Sequence, residues 1–478
     1  MLRRTKIVAT VGPATDDPLV LLEMMREGLD VVRLNASHGT RGDLQRRLGL
    51  IHDAATAADR SIGVLLDLSG PKIRIEGFRN GPVQLQEGKH FALDTALDPK
   101  AGTVSEVGVA YKDLPKDVAK GDALLLADGQ IVLDVLHVTA TRIETLVRVG
   151  GELSNRKGLN RQGGGISAPA LSDKDRDDIR FAAQVGVDYV AVSFARDAAD
   201  IEQARTLVRQ AGGRAHIIAK IERQEAVTNL RGIIEAADVV MVARGDLGVE
   251  MGYAELTGLQ KTIIHESRIR NRVVITATQM MESMIQNPVP TRAEVSDVAN
   301  AVMDGTDAVM LSAETATGRY PLRAVRAMAE VITGAEKYQI SHVRTRYRAE
   351  GMFSCTEEAI AMAVMYTANH LKVRAIVALT ESGATPLFMS RIRADLPIYA
   401  FTRHESTRRR VTLYRGVYPV IYQSIDGAST EQLYRSIFAR LLELRLVEHG
   451  DHVILTKGEL SGVEGGTNSL QIVKVALD

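Results

Sequence analysis

Two runs decide the fold: IIAKIERQEA (217–226) and VVMVARGDLGVE (239–250). Each opens as an apolar, β-branched stretch of strand type and finishes in a burst of polar residues. VVRLNASHG (31–39) does the same far upstream. Unbroken Val/Ile/Leu/Ala runs, rather than strict alternation, mark strands covered on both faces and hence a parallel sheet. The pattern also occurs in TKIVATVG (5–12), SIGVLLDL (61–68), VDYVAVSF (187–194), RVVITAT (272–278) and TDAVMLS (306–312). The segments between the runs carry helical periodicity. In ADIEQARTLVRQAG (199–212), Ile201, Ala204 and Val208 lie on one stripe before Gly212-Gly213 stops the helix. Eight strands with crossover helices predict a TIM-type (β/α)₈ barrel, with a doubly wound sheet as the alternative. A barrel gathers its C-terminal strand ends at one rim, so the polar bursts would meet there.

The spacing breaks once, between Leu68 and Val187. GPVQLQEGKHFAL, GDALLLADGQIVLDVLHV and TRIETLVRVGG read as short alternating strands separated by Gly-Asp and Asp-Gly turns. They predict a small antiparallel β domain over 72–169, inserted after the third strand. Gly163-Gly164-Gly165 is expected as its return hinge. A phosphate loop is the other reading, but no Walker motif occurs in the chain. The catalytic barrel then takes 1–71 and 170–343. From 344 to 478 a doubly wound α/β domain follows, with strands in VRAIVALTESG (373–383), PIYAFT (397–402), YPVIY (418–422), DHVILTKG (451–458) and SLQIVKV (469–475).

The chain has 478 residues, with 59 Lys+Arg balancing 59 Asp+Glu, so no basic bias points to nucleic acid or an anionic membrane. Its single cysteine, Cys355, excludes a disulfide framework and a thiolate metal cage. No apolar run reaches membrane-span length, and the amino-terminal IVATV stops at Gly12-Pro13. A cytoplasmic α/β enzyme is expected.

Strand alternation points Lys220 and Glu222 to one face. A carboxylate beside an ammonium at a barrel mouth can bind a divalent cation while the ammonium meets a phosphoryl group, and Asp246 adds a second carboxylate. Two oxygen ligands with room for phosphate and water suit Mg²⁺, with Mn²⁺ as a substitute. A buried structural Lys–Glu pair is the competing reading. Gly245 and Gly248 flank Asp246 at the expected start of a helix, where free amides favour a carboxylate, although a plain β–α turn would look the same. Arg33 and Asn35 share a strand face, and an arginine at a strand end commonly serves an anion. Asp67, Thr278, Ser312 and Glu314 close other strands, where each alone could be a helix cap.

These residues bring a family into view. TKIVATVGPAT, RLNASHG, the frame from Asp67 to Arg74, KIERQEA, VMVARGDLGVE, TATQMMESM, PTRAEVSDVANAVMDGTDAVMLSAET and the closing GGTN (465–468) resemble pyruvate kinase, in family order and from end to end. The resemblance implies a β-barrel lid for the inserted domain and phosphoryl transfer from phosphoenolpyruvate to ADP, giving ATP and pyruvate, in a homotetramer. It implies Lys220 on the transferring phosphoryl group, Arg33 on its oxygens, and Mg²⁺ on Glu222 and Asp246. Amides at Gly245 and Asp246, with the Thr278 hydroxyl, would take the substrate carboxylate. Asn35, His38, Arg74 and Lys157 match the nucleotide side, and Thr278 and Ser312 the proton-delivery region. A lyase or mutase on the same barrel, or a non-catalytic metabolite sensor, are the alternative readings.

Two departures matter. Many family members read D-T-K-G-P-E and bind K⁺ near the positions of Asn35, Ser37 and Asp67. Here the segment is Asp67-Leu68-Ser69-Gly70-Pro71-Lys72. A tethered ammonium can replace a Glu–K⁺ pair without changing local charge, so K⁺ is not expected to be required. In LTESGAT (379–385), Thr380, Ser382, Gly383 and Thr385 form a hydroxyl-and-amide cup facing, by resemblance, the segment Gly462–Asn468 with Gly466 and Thr467. Glu381 stands where responders to fructose-1,6-bisphosphate often carry lysine. A carboxylate there would repel a second phosphate, which favours a sugar monophosphate or AMP as effector.

Overall fold

The computed structural model describes residues 2–342, 352–392, 394–423, 429–458 and 465–476. Strands β1 (Lys6–Thr10), β2 (Val31–Asn35) and β3 (Gly63–Asp67) come first. The insertion carries β4 (Val83–Leu85), β5 (His90–Asp94), β6 (Glu106–Gly108), β7 (Ala123–Leu126), β8 (Ile131–Val138), β9 (Arg142–Val149), β10 (Gly151–Leu153) and β11 (Leu159–Arg161). Next come β12 (Tyr189–Val192), β13 (His216–Ile221), β14 (Val239–Ala243), β15 (Val273–Ala277) and β16 (Ala308–Leu311). The last are β17 (Ala375–Leu379), β18 (Ile398–Thr402), β19 (Val417–Ile421), β20 (His452–Gly458) and β21 (Thr467–Lys474). The eight apolar runs are the eight strands of a closed barrel, in the order β1-β16-β15-β14-β13-β12-β3-β2. Nearly every residue of these strands is buried, which is why they read as unbroken apolar runs. Among the described residues no helix is long and apolar enough to cross a membrane.

The chain divides into two compact units. One comprises residues 1–66, 187–189 and 267–478. In it β1 runs parallel to β16, with Lys6 opposite Ala308, and to β2, with Val8 opposite Val31. The carboxy-terminal sheet, in the order β19-β18-β17-β20-β21, is parallel except for the antiparallel edge strand β21. Buried polar groups tie this sheet to the amino-terminal ends of the barrel strands. Arg391 grips both carboxylate oxygens of Asp307, and Lys6 Nζ donates to the Val417 carbonyl at 2.6 Å. Glu336, fully buried, accepts from the amides of Arg4 (2.9 Å) and Thr5 (2.7 Å). Burial pushes the Lys6 ammonium down to about 8.

The other unit comprises residues 67–186 and 190–266. Its insertion is a six-stranded sheet in the order β11-β7-β8-β9-β5-β6, antiparallel except at β5–β6, plus the β10–β4 pair. Residues 73–76 bond to both sheet edges: the Leu159 amide donates to the Ile73 carbonyl (2.9 Å) and the Glu76 amide to the Gly108 carbonyl (2.7 Å). That short bridge links the two edges of the sheet, whose core includes Phe91, Leu124, Leu133 and Leu153. Gly163, Gly164 and Gly165 all hold positive φ (84°, 72° and 89°). The Gly165 amide donates to the Glu225 carboxylate at 2.5 Å.

Candidate active site

Strand β13 ends at Ile221, and its last inward residue, Lys220, stands beside Glu222. The Lys220 ammonium lies against Ser193 Oγ at 2.7 Å, Glu222 Oε1 at 2.9 Å and Asp67 Oδ1 at 3.3 Å. Asp67, the last residue of β3, is 1 % exposed, and Glu222 only 2 %. Buried carboxylates at such positions need a cation. Burial is the largest influence on the Glu222 carboxyl and pushes it up; the Lys220 ammonium pulls it back, and the Asp246 charge adds to the rise. Two carboxylates close enough to repel form a donor set that a divalent cation would relieve. Among the described residues no group of three or more His, Cys, Asp or Glu side chains forms a complete metal cage. With two carboxylates as donors, an ion held there would take its remaining oxygens from substrate and water.

Asp246 sits in the first turn of the helix Arg244–Met251, which begins directly after β14, as the glycines around it suggested. Its Oδ1 lies 3.0 Å from Lys72 Nζ at the root of the insertion, and Asp128 lies 4.0 Å from the same ammonium. Within this unit, then, Lys72 turns to Asp246, while Asp67, beside which the sequence grouped it, belongs to Lys220. Leu68 is buried and its carbonyl accepts from the Ser193 hydroxyl at 2.8 Å. Arg74 and Lys157 occupy one ladder: Arg74 bridges Gly158, and the Ile75 amide donates to the Lys157 carbonyl at 3.0 Å.

In the other unit, Arg33 on β2 donates to Thr10 Oγ1 on β1 at 2.9 Å, which fixes its direction at the strand end. Asn35 caps the turn that follows by accepting the Ser37 amide at 3.0 Å, and Ser37 and His38 are exposed. Thr278, after β15, holds φ 65°, with Gln279 at 53°. A β-branched residue in the left-handed region is strained, and such strain concentrates at functional sites. Ser312 Oγ, after β16, is buried without a hydrogen-bond partner among the described residues. Glu314 is structural: its carboxylate takes the amides of Ser312 (2.7 Å) and Met281 (3.1 Å).

The carboxy-terminal cup is partly assembled. Thr385 and Thr467 meet through their hydroxyls at 2.7 Å, joining the two segments that the sequence paired. Gly383 holds φ 89°, and its amide donates to Thr380 Oγ1 at 2.9 Å. Ser382 is half-buried, and Gly466 lies beside Gly458. Residues 462–464 of the closing segment lie outside the described residues. Glu381 is held by Arg403 Nε at 3.2 Å and His404 Nε2 at 2.5 Å.

Sequence reading missed Ser193 and Phe194, which support Lys220 and Glu222 from the end of β12. For Ser193 the signal was present: a hydroxyl closing a barrel strand, like Thr278 and Ser312.

Residues 2–325 match the family model for the pyruvate kinase barrel domain, and residues 358–473 that for the pyruvate kinase alpha/beta domain. The chain is 52 % identical over 479 residues to pyruvate kinase II of Salmonella typhimurium, covering 99 % of each chain. It is 51 % identical to the pyruvate kinase of Haemophilus influenzae, covering 96 % of each. The crystal structure of a pyruvate kinase from Cryptosporidium parvum superposes with a TM-score of 0.91 at 34 % identity, covering 99 % of this chain and 96 % of that one. With the family's barrel, its inserted sheet and its carboxy-terminal domain all present, the chain belongs to the pyruvate kinases, a family of phosphotransferases.

Proposed function

We propose that the chain transfers the phosphoryl group of phosphoenolpyruvate to ADP, yielding ATP and pyruvate, with Mg²⁺ or Mn²⁺ held by Glu222 and Asp246. The observation that carries this reading is the partly buried Lys220 ammonium set against the buried Glu222, whose carboxyl also feels Asp246. A phosphoryl-transfer transition state offers little covalent work, so catalysis consists of positioning and neutralising charge. Lys220 meets the moving phosphoryl group and Arg33 its oxygens. When bound, the divalent ion supplies charge neutralisation and a template between substrate oxygens. Amides at Gly245 and Asp246, with the Thr278 hydroxyl, orient the substrate carboxylate. Arg74, Lys157, Asn35 and His38 serve the nucleotide. Thr278 and Ser312 belong to the path that protonates the enolate, a role supported by the strained backbone of one and the unengaged hydroxyl of the other.

K⁺ is not required in this reading, because Lys72 carries a tethered cation beside Asp246. Activation comes from a phosphorylated effector, a sugar monophosphate or AMP, at Thr380, Ser382, Gly383, Thr385, Gly466 and Thr467. The enzyme acts in the cytoplasm as a homotetramer, with catalytic residues drawn from 1–71 and 170–343, a lid over 72–169 and a regulatory domain over 344–478. Purified protein should form pyruvate from phosphoenolpyruvate only when ADP and Mg²⁺ are both present. Pyruvate formation at the same rate without ADP would assign the barrel to lyase chemistry instead.

A further inference from the structure

We infer that Ser193 is the positioning residue of Lys220: with Asp67 it holds the ammonium in place once Glu222 turns to the metal. This inference rests on the phosphotransfer reading above. An ammonium has three N–H donors, and its partners here include Ser193 Oγ (2.7 Å), Glu222 Oε1 (2.9 Å) and Asp67 Oδ1 (3.3 Å). A divalent ion on Glu222 would compete with the lysine for the carboxylate's negative charge, so Glu222 is the acceptor whose hold on Lys220 weakens. The donor it releases is the one left to meet a phosphoryl oxygen. Two anchors then aim the side chain, and only Ser193 approaches closer than 3 Å.

The hydroxyl is set for that task. Ser193 is 2 % exposed, and its single proton is spent on the Leu68 carbonyl at 2.8 Å; Asp67 Oδ1 lies farther away, at 3.4 Å. Its lone pairs are thereby left for Lys220. The next residue completes the arrangement from the main chain. Phe194 holds φ 57°, and its amide donates to Glu222 Oε2 at 2.8 Å. One strand end therefore steadies both members of the Lys220–Glu222 pair, the lysine through a side chain and the glutamate through a backbone amide. Gly70 packs against it so closely that an added Cβ would stand 2.7 Å from Ser193 Cβ, so a side chain at position 70 would push on the serine.

The test is Ser193→Ala in the full-length protein, with Mg²⁺. An anchor lost from a transition-state donor lowers turnover rather than affinity, so kcat should fall by roughly ten- to fiftyfold while KM for phosphoenolpyruvate stays within about threefold. The Mn²⁺ dissociation constant, read by electron paramagnetic resonance, should change by less than about twofold, because Glu222 and Asp246 are untouched. In a Lys220→Met background, assayed at raised enzyme concentration, adding Ser193→Ala should cost no more than about twofold further, since the group it positions is gone. A kcat within threefold of wild type, or the full loss repeated in the Lys220→Met background, overturns the inference. Wild-type protein assayed alongside separates the two levels: if it does not turn over phosphoenolpyruvate with ADP, the reaction assignment fails. If it does and Ser193→Ala is silent, only this role of Ser193 fails.

Discussion

Lys72 and Asp246 form an ion pair of 3.0 Å between the root of the inserted domain and the helix that follows β14. The lysine side chain is 29 % exposed and the aspartate 20 %, so the pair is partly shielded from solvent. In the proposed reading, a fixed ammonium there would do the electrostatic work of a bound monovalent cation. Activity should therefore be full in tetramethylammonium buffer free of K⁺, with Mg²⁺ still required. Stimulation of several-fold by KCl at constant ionic strength would show that Lys72 does not serve in this way.

Lys220→Met should leave Mn²⁺ binding intact and lower turnover by roughly a hundredfold or more, the scale of one lost transition-state donor. The two quantities are separable by metal titration of the purified variant and by steady-state kinetics. Turnover near wild type would remove Lys220 from the chemistry.

Glu381 is engaged by Arg403 and His404; if phosphate binds this loop as proposed, a second phosphate would meet the Glu381 carboxylate at the position where a lysine would supply a cation. Saturation curves for phosphoenolpyruvate should shift to lower concentration with a sugar monophosphate or AMP and stay unmoved with micromolar fructose-1,6-bisphosphate. In Glu381→Lys the bisphosphate response should appear. Wild-type activation by the bisphosphate alone would contradict the charge argument.

Glu250, 6 % exposed, accepts from the Gln224 amide at 3.0 Å. Burial pushes its carboxyl up from 4.5 to about 7, against the opposing pull of that bond and of the Arg223 charge. A raised carboxyl favours the folded state only while protonated. Stability from this group is whole below pH 4.5 and is lost as pH rises through 7. Glu250→Gln should thus gain stability over wild type at pH 8, by at most about 3 kcal/mol, and gain little at pH 5. Denaturant melts at the two pH values measure this, and equal differences at both would refute it.

The barrel was legible because parallel strands buried on both faces cannot hide their composition, and the insertion because Gly-Asp and Asp-Gly turns interrupt that pattern. Lys220, Glu222 and Asp246 were legible as strand-end polar residues. Which partner each one takes was not. Asp67 belongs to Lys220 and Lys72 to Asp246, and those pairings depend on where side chains from distant strands point, which period and propensity do not encode. Phe194 was hidden for another reason: its contribution is an amide aimed by a positive φ, and its side chain carries no trace of that.

The closing of the barrel also sets a timetable for the newborn chain. Thr10 on β1 donates its hydroxyl to the carbonyl of Leu311 on β16, 301 residues later, at 3.0 Å. Synthesis at ~5–20 residues per second separates the two by tens of seconds. Throughout that interval one edge of the first strand has no partner, and an open parallel edge is a template for other chains. The eighth strand is in this sense a late gate on solubility. A truncation that removes β16 exposes an edge which the finished enzyme never presents.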